Sequence, residues 1–529
     1  MGKNYYITLV ALIVALGGFL MGFDASVISG VVKFIELEFD LTKLELGWAV
    51  SSLTLTATLA MLAAGPLSDF FGRKKVLSFV AFLYAISAIG SALAPDYLTL
   101  VIARMIGGLG VGASLIIAPM YIAEIAPPEI RGRMVSFNQL NIVIGISVAF
   151  FTNYLILQLG QSEAAWAQAM KFDEYNWRWM LGLETLPAIL YFFALFAVPK
   201  SPRWLAMKGR YDEALVVMRK ATSEERARKI IESVKQSLSA ASSQARLPLR
   251  ELFQPALRLV LSIGIVVAVL QQITGINSVF FYAPMIFEQS GIGTDASFVQ
   301  AILVGLVNLV FTVLAIALID KLGRKPLLVV GVAGIALCMF LLAYSFQAAT
   351  YQLSTESVES LPAEIPREKL MTLTGTLFED DLSYKQALKE KLGEDIVQNF
   401  ESELISAAAD MNAWLILGGI LGFVAFFAVS LGPVMWVLFS ELFPNWIRGL
   451  AISFVGLINS AVSFLVQLVF PWELQNFGSS TTFLIYGVFA ALGLVFILLK
   501  VPETKGKSLE ELEKLLVKVP AGKQSLPQE

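Results

Sequence analysis

Three charged side chains sit where charge is costly. Asp24, Arg104 and Glu184 each interrupt a long apolar run of the 529-residue chain, and an ionised group in hydrocarbon is a functional suspect by default. The runs put all three at one depth, about five or six residues from the same face of the membrane. An Asp24–Arg104 pair resolves the burial cost of both. It also makes a proton switch. With Arg104 near, the carboxyl holds its charge; when Arg104 withdraws, desolvation favours the protonated form. Such a group can take up a proton on one side and release it on the other. The plainer reading is a static pair that fixes helix packing, and Glu184 carries the same two readings. The chain has no histidine, so proton chemistry falls to carboxylates. No metal-ligand cluster and no nucleophile–base pair is visible, which argues against an enzyme.

Uncharged amides form the second constellation. Gln271-Gln272-Ile-Thr-Gly275-Ile-Asn277 lies in an apolar run, where each polar group is unfavourable unless it meets a partner. Glutamine and asparagine offer both donors and an acceptor, which suits a ligand covered in hydroxyl groups. Gly275 invites local unwinding where backbone lines a cavity. Gln139, Asn141, Asn308 and Asn459 are similar isolated amides in other runs, and Trp436 offers an apolar face to the C–H side of a sugar ring. Taken singly, each amide reads equally well as interhelical glue. Drawn from several runs, the set favours a small neutral polyhydroxylated solute.

The third pattern lies at the ends of the runs. Gly65-Pro-Leu-Ser-Asp69-Phe-Phe-Gly72-Arg73-Lys74 is echoed by Asp320-Lys-Leu-Gly323-Arg324-Lys325. Glu124 followed by Arg131-Gly132 is echoed by Glu441 followed by Arg448-Gly449. Glycines permit a tight reversal, and the arginines can bridge to Glu124 and Glu441. Pairs that form when one side closes and break when it opens make a bistable latch. Positive-inside anchoring alone explains the arginines but not the acids and glycines.

These groups need a membrane scaffold to position them. Hydrophobic residues make up 57% of the chain and charged residues 15%, against about a quarter charged in soluble proteins. The excess falls into twelve apolar blocks, at about 7–30, 47–68, 76–94, 98–121, 134–157, 179–198, 259–287, 298–319, 327–347, 412–438, 450–471 and 480–500. Each is long enough to cross a ~30 Å hydrocarbon core as a helix. The first has no small-residue cleavage site and reads as a retained span. Lys and Arg crowd every second connection, which places both termini in the cytoplasm. Net charge is −3 and gives no hint of nucleic acid. The lone Cys338 reads as a packing residue.

A basic segment divides the blocks six and six. The expected organisation is a six-helix bundle over 1–198, a helical cytoplasmic linker over 199–258 and a second bundle over 259–500. That bundle carries an outer insertion at 348–411, and 501–529 forms a cytoplasmic tail. Charge alternation predicts a helix over 212–237. Residues 383–408 also look helical, within an insertion that is strongly acidic. The paired turn motifs recur six blocks apart, as in transporters built from duplicated halves around a mid-membrane site.

Together these residues resemble the sugar porter family of the major facilitator superfamily along nearly the whole chain. The resemblance rests on Gly65 to Lys74, Arg104-x-x-Gly-Gly, Pro119-x-Tyr121-Ile-Ala-Glu124, Arg131-Gly132, Pro199-Lys-Ser-Pro-Arg203-Trp, Gln271 to Asn277, Gly432-Pro433-x-x-Trp436 and Pro502-Glu-Thr-Lys-Gly506. It implies twelve helices in two pseudo-symmetric bundles, a sugar cavity between them and alternating access by rocking. Gln139, Gln271, Gln272, Asn277, Asn308, Trp436 and Asn459 match the family's sugar-binding positions. Asp24 and Glu184 match acids of the xylose–proton symporter type, in a bacterial inner membrane. The chain departs from the family at Lys200, where an acid is usual, at Ser460 and Phe281, which replace a tryptophan and a tyrosine, and in the long outer insertion. The expectation is a monosaccharide transporter coupled to protons, without a cofactor. Its rivals are a sugar uniporter of the same fold and a non-transporting sugar receptor. The sequence leaves the sugar and the oligomeric state open, a monomer being compatible with it.

Overall fold

The structure, a computed structural model, describes residues 3–127, 130–241, 248–444, 446–507 and 509–516. Spans 1 to 5 are Lys3–Glu38, Lys43–Phe71, Arg73–Ala92, Tyr97–Ile125 and Arg131–Gly160, and span 6 is Asn176–Ala197. Span 7 is Pro255–Glu288, followed by span 8, Thr294–Leu322, span 9, Arg324–Gln347, and span 10, Ala413–Leu442.

The last two spans lie within one 53-residue stretch, Arg448–Lys500. A straight helix of that many residues at 1.5 Å each would be about 80 Å long, more than twice a hydrocarbon core. Gly478, at φ 75° and ψ 168°, breaks the stretch into spans 11 and 12. The loop expected between these spans is therefore mostly helix, because one glycine supplies the whole reversal of direction.

Local chemistry sets the other ends. Thr42 and Glu45 form a capping box at span 2, and the Asp96 carboxylate accepts the Thr99 N–H at 2.8 Å to start span 4; such caps satisfy orphan backbone donors. Gly72 and Gly323 carry φ of 95° and 96° at the ends of spans 2 and 8, a backbone shape that side chains with a Cβ disfavour. The duplicated motif thus folds into the same turn twice. Two spans are broken where polar chemistry sits, span 7 at Thr274–Gly275 and span 10 at Ser430; span 6 keeps helical backbone angles through Leu183 and Glu184, where its hydrogen bonding tightens locally.

Spans 1–6 pack on one another, as do spans 7–12. Large apolar side chains such as Phe79, Phe193, Val330 and Leu499 remain exposed around the outside, as a lipid-facing surface requires. Contacts between the halves run from mid-membrane to the face remote from the termini. Span 2 meets span 11 so closely at Gly47 that a Cβ there would stand 2.0 Å from the Leu468 carbonyl oxygen. The Lys33 ammonium pairs with Glu288 at 3.1 Å, the Ser147 hydroxyl donates to the Gly305 carbonyl at 2.9 Å, and Gln161 donates to Asp295 at 2.9 Å.

The 348–411 insertion is more structured than its expected helical stretch. A three-stranded antiparallel sheet, with Thr350–Gln352 between Leu377–Phe378 and Ala409–Asp410, accompanies helices Asp381–Leu392, Glu394–Asn399 and Glu401–Ala408. Its own core includes Tyr351 and Tyr384, stacked at 5.3 Å, with Val358, Leu370, Leu388 and Leu404. The insertion is anchored on the second half through Lys385 to Gln289 at 2.7 Å, Gln289 to Glu401 at 3.1 Å, and the Ser479 N–H to Asp381 at 3.2 Å. On the opposite face the linker holds Pro202–Met207, Tyr211–Ala221 and Glu224–Ala241. The single helix expected there is split at Thr222 and Ser223.

Candidate transport site

Span 7 positions the amides by breaking. At Gly275, φ is 88°, so the helix ends at Ile273 and restarts at Ile276. Side chains on either side of the break then turn toward one centre. Asn277 Nδ2 donates to Gln272 Oε1 at 2.8 Å; Gln272 Nε2 donates to Gln271 Oε1 at 3.1 Å and to Asn459 Oδ1 at 3.2 Å. Asn459 Nδ2 donates to Gln271 Oε1 and to the Ala268 carbonyl, both at 2.8 Å, and Gln271 Nε2 reaches the Leu431 carbonyl beside the break in span 10 at 3.0 Å.

Four of the seven sequence-named binding residues thus form one network within the second half. Asn308 is buried on span 8, and its side chain makes no hydrogen bond among the described residues. Trp436 is 46% exposed, and Gln139, on span 5 of the first half, is also exposed. No polar contact among the described residues joins these three to the network.

Sequence reading missed Ser463 and Gln467. Ser463 Oγ accepts from Asn277 at 2.7 Å and from Gln467 Nε2 at 2.8 Å. The signal was available: Asn459, Ser463 and Gln467 recur every four residues, one stripe on a helix.

In the first half, Arg104 Nη1 lies 3.4 Å from Asp24 Oδ1, and both residues are almost fully buried. The Arg104-x-x-Gly-Gly pattern has a steric cause. A Cβ on Gly107 would stand 2.8 Å from Asp24 Oδ2, and one on Gly108 would stand 2.3 Å from the Leu53 carbonyl oxygen. The first glycine makes room for the carboxylate and the second for span 2. Glu184, on span 6, is buried within electrostatic reach of Asp24 and Arg104 but forms no ion pair with Arg104 among the described residues. Asp24 Oδ2 and Glu184 Oε1 are buried without hydrogen-bond partners among the described residues. Polar atoms left this way are costly, and protonation or water entry relieves that cost.

The duplicated turn motifs produce matching clusters. Arg73 holds Glu124 through Nε at 3.0 Å and Nη2 at 3.0 Å, and Asp69 through Nη1 at 2.7 Å; Ser201 also donates to Glu124. Arg324 holds Glu441 through Nη2 at 2.7 Å and Nε at 3.1 Å, and Thr504 donates to Glu441 at 2.6 Å. Two expectations change here. Arg131 is exposed and Arg448 donates to the Phe443 carbonyl at 3.0 Å, and neither bridges to a glutamate among the described residues. Both arginine–glutamate pairs join helices of one half, so neither bridges the two halves. The side chain of Asp320 lies outside the described residues.

The chain also matches a family model described as "Sugar (and other) transporter" over residues 10–361 and 402–516. It belongs to that family. Among its relatives, the arabinose-proton symporter of Bacillus subtilis (strain 168) is 35% identical over 513 residues, covering 97% of this chain and 96% of the relative. The D-xylose-proton symporter of Escherichia coli (strain K12) is 34% identical over 545 residues, with 97% and 96% covered. Among solved structures, the E. coli xylose transporter in its inward-open conformation superposes with a TM-score of 0.73 at 32% identity, covering 97% of this chain and all of that one. The twelve-helix major facilitator fold follows. As a member of the sugar transporter family the chain is a multi-span integral membrane protein. The insertion stands partly outside the family pattern, since residues 362–401 are not matched.

Proposed function

We propose that the protein imports a monosaccharide together with a proton by alternating access across a bacterial inner membrane, with both termini cytoplasmic. The observation that carries this reading is the bonded set Gln271, Gln272, Asn277 and Asn459 at paired helix breaks. Such a set recognises a hydroxyl-rich neutral solute. Gln139, Asn308 and Trp436 complete the pocket when sugar draws the halves together. The relatives' substrates, arabinose and xylose, support a pentose or hexose.

The described conformation is read as inward-facing. Asp24 takes a proton while its carboxyl faces the outer side, and neutralisation frees Arg104. Loss of that attraction lets span 1 move against span 4, and the halves rock. Glu184 keeps the pocket electrostatically coupled to both groups. On the cytoplasmic face, the Asp69–Arg73–Glu124 and Arg324–Glu441 clusters hold each half rigid, so that motion is concentrated between the halves.

Uptake by purified protein in proteoliposomes tests the reading. Under an inward proton gradient, labelled pentoses and hexoses should accumulate, and sugar addition should alkalinise the outer medium. Uptake without any proton movement would point to a uniporter, and binding without uptake to a receptor.

A further inference from the structure

The amide network continues out of the second half. Gln467 Oε1 accepts the Thr54 hydroxyl of span 2 at 2.8 Å, while Gln467 Nε2 donates to Ser463 at 2.8 Å. An unbroken chain of hydrogen bonds therefore runs Gln272, Asn277, Ser463, Gln467, Thr54, from the binding amides to the other half. Gln467 is 1% exposed. Its neighbour Leu468 carries the carbonyl that packs against Gly47, and Trp48 meets Phe464 edge-on at 5.9 Å. Thr54–Gln467 is thus the polar part of the seam that closes spans 2 and 11.

Hydrogen bonding leaves Gln272, Asn277 and Asn459 without spare donors. Each amide nitrogen has two hydrogens. Asn277 spends both, on Gln272 and Ser463; Asn459 spends both, on Gln271 and Ala268; Gln272 Nε2 spends both, on Gln271 and Asn459. With the seam closed, the network satisfies itself, and a sugar hydroxyl must displace an internal bond to receive one of these donors. When spans 2 and 11 part, Gln467 loses Thr54, and a buried amide left short of a partner seeks another. Ser463 and Asn277 are then released to the pocket.

We infer that Gln467 is a positioning residue that ties closure of the outer seam to weakened sugar binding, so that the site holds sugar when open to the outside and lets it go when open to the cytoplasm. The inference rests on the sugar-transporter reading above and concerns a residue that touches sugar only through Asn277.

Two measurements test it on the full-length protein. First, a cysteine replacing Phe464 in a Cys338→Ser background is labelled from outside with an impermeant thiol reagent, without sugar. Thr54→Val should speed labelling about fivefold, the effect of one lost hydrogen bond, and Gln467→Ala at least as much, since it also loses Ser463; together they should act as Gln467→Ala does alone, since Thr54 bonds across the seam through Gln467. Second, KM is measured from each face in right-side-out and inside-out vesicles. The ratio of inner to outer KM should shift about fivefold in both variants and stay at the wild-type value in Thr54→Ser. Unchanged labelling, or additive effects, overturns the inference. Faster labelling with an unchanged KM ratio overturns the link to sugar while leaving a seam. Wild-type protein that moves no sugar, yet shows the labelling shift, defeats the transporter reading instead.

Discussion

Glu503 accepts the backbone N–H groups of Arg324 and Lys325, each at 3.1 Å, and so caps span 9 with a carboxylate. Burial pushes this carboxyl up, but the backbone donors of Lys505, Arg324, Lys325 and Thr504 outweigh it and hold Glu503 below the usual glutamate range. The corresponding motif in the first half carries Lys200, close enough to Lys74 for the two charges to oppose each other. A cation there faces the positive end of span 3. Lys200→Glu should therefore stabilise the protein by about 0.3–1 kcal/mol, the size of a helix-end charge effect, read as a rise in thermal midpoint. No rise, or a fall, would mean that span 3 gains nothing from an acid at this position.

Glu401, in the 348–411 insertion, behaves like Glu503. Burial raises its pKa, but Lys385 and Lys43 together hold it well below the usual range, with Lys385 at 2.8 Å. Because the folded value is depressed, its stabilisation is full above the ordinary glutamate pKa of 4.5 and is lost as pH falls below it. Acidification should loosen the insertion, seen as faster protease cleavage within 348–411 at pH 4 than at pH 7 under matched activity, and Glu401→Gln should flatten that dependence.

Asp24→Asn separates coupling from a static ion pair. The neutral amide mimics a permanently protonated carboxyl, so sugar should no longer accumulate above equilibrium, while counterflow exchange of labelled for unlabelled sugar persists. Retained uphill uptake would assign Asp24 to packing alone.

Gly107 and Gly132 make a matched pair. An alanine methyl at Gly107 meets Asp24 Oδ2 at 2.8 Å and Ser87 Oγ at 2.5 Å, whereas nothing among the described residues lies within 4 Å of one at Gly132. Gly107→Ala should cost about 1–3 kcal/mol through overpacking and lower proton-driven uptake at least tenfold. Gly132→Ala should leave uptake intact and, in a helix, add about 0.5–1 kcal/mol of stability. Equal effects of the two on uptake would contradict the steric account.

Gln272→Ala removes the residue that bonds Gln271, Asn277 and Asn459 together. Sugar affinity should fall about 5- to 30-fold, equivalent to one or two hydrogen bonds, measured by quenching of Trp436 fluorescence.

Much of this protein was readable from residue order. Membrane thickness imposes a length on each apolar run, so the twelve spans and their division followed from hydropathy and loop charge. Asp24, Arg104 and the span 7 amides stood out because polar groups in hydrocarbon are rare. Helical spacing could also have exposed Ser463 and Gln467. Side-chain partnership was not readable, because it depends on how helices distant in sequence rotate and cross. Only packing decided that Arg73 and Arg324 bind glutamates within their own halves, that Arg131 and Arg448 find none among the described residues, and that Glu184 stands apart from the Asp24–Arg104 pair. The same holds for Thr54 and Gln467, separated by 413 positions. They meet because glycine at position 47 lets two backbones touch, and no local pattern records such an approach.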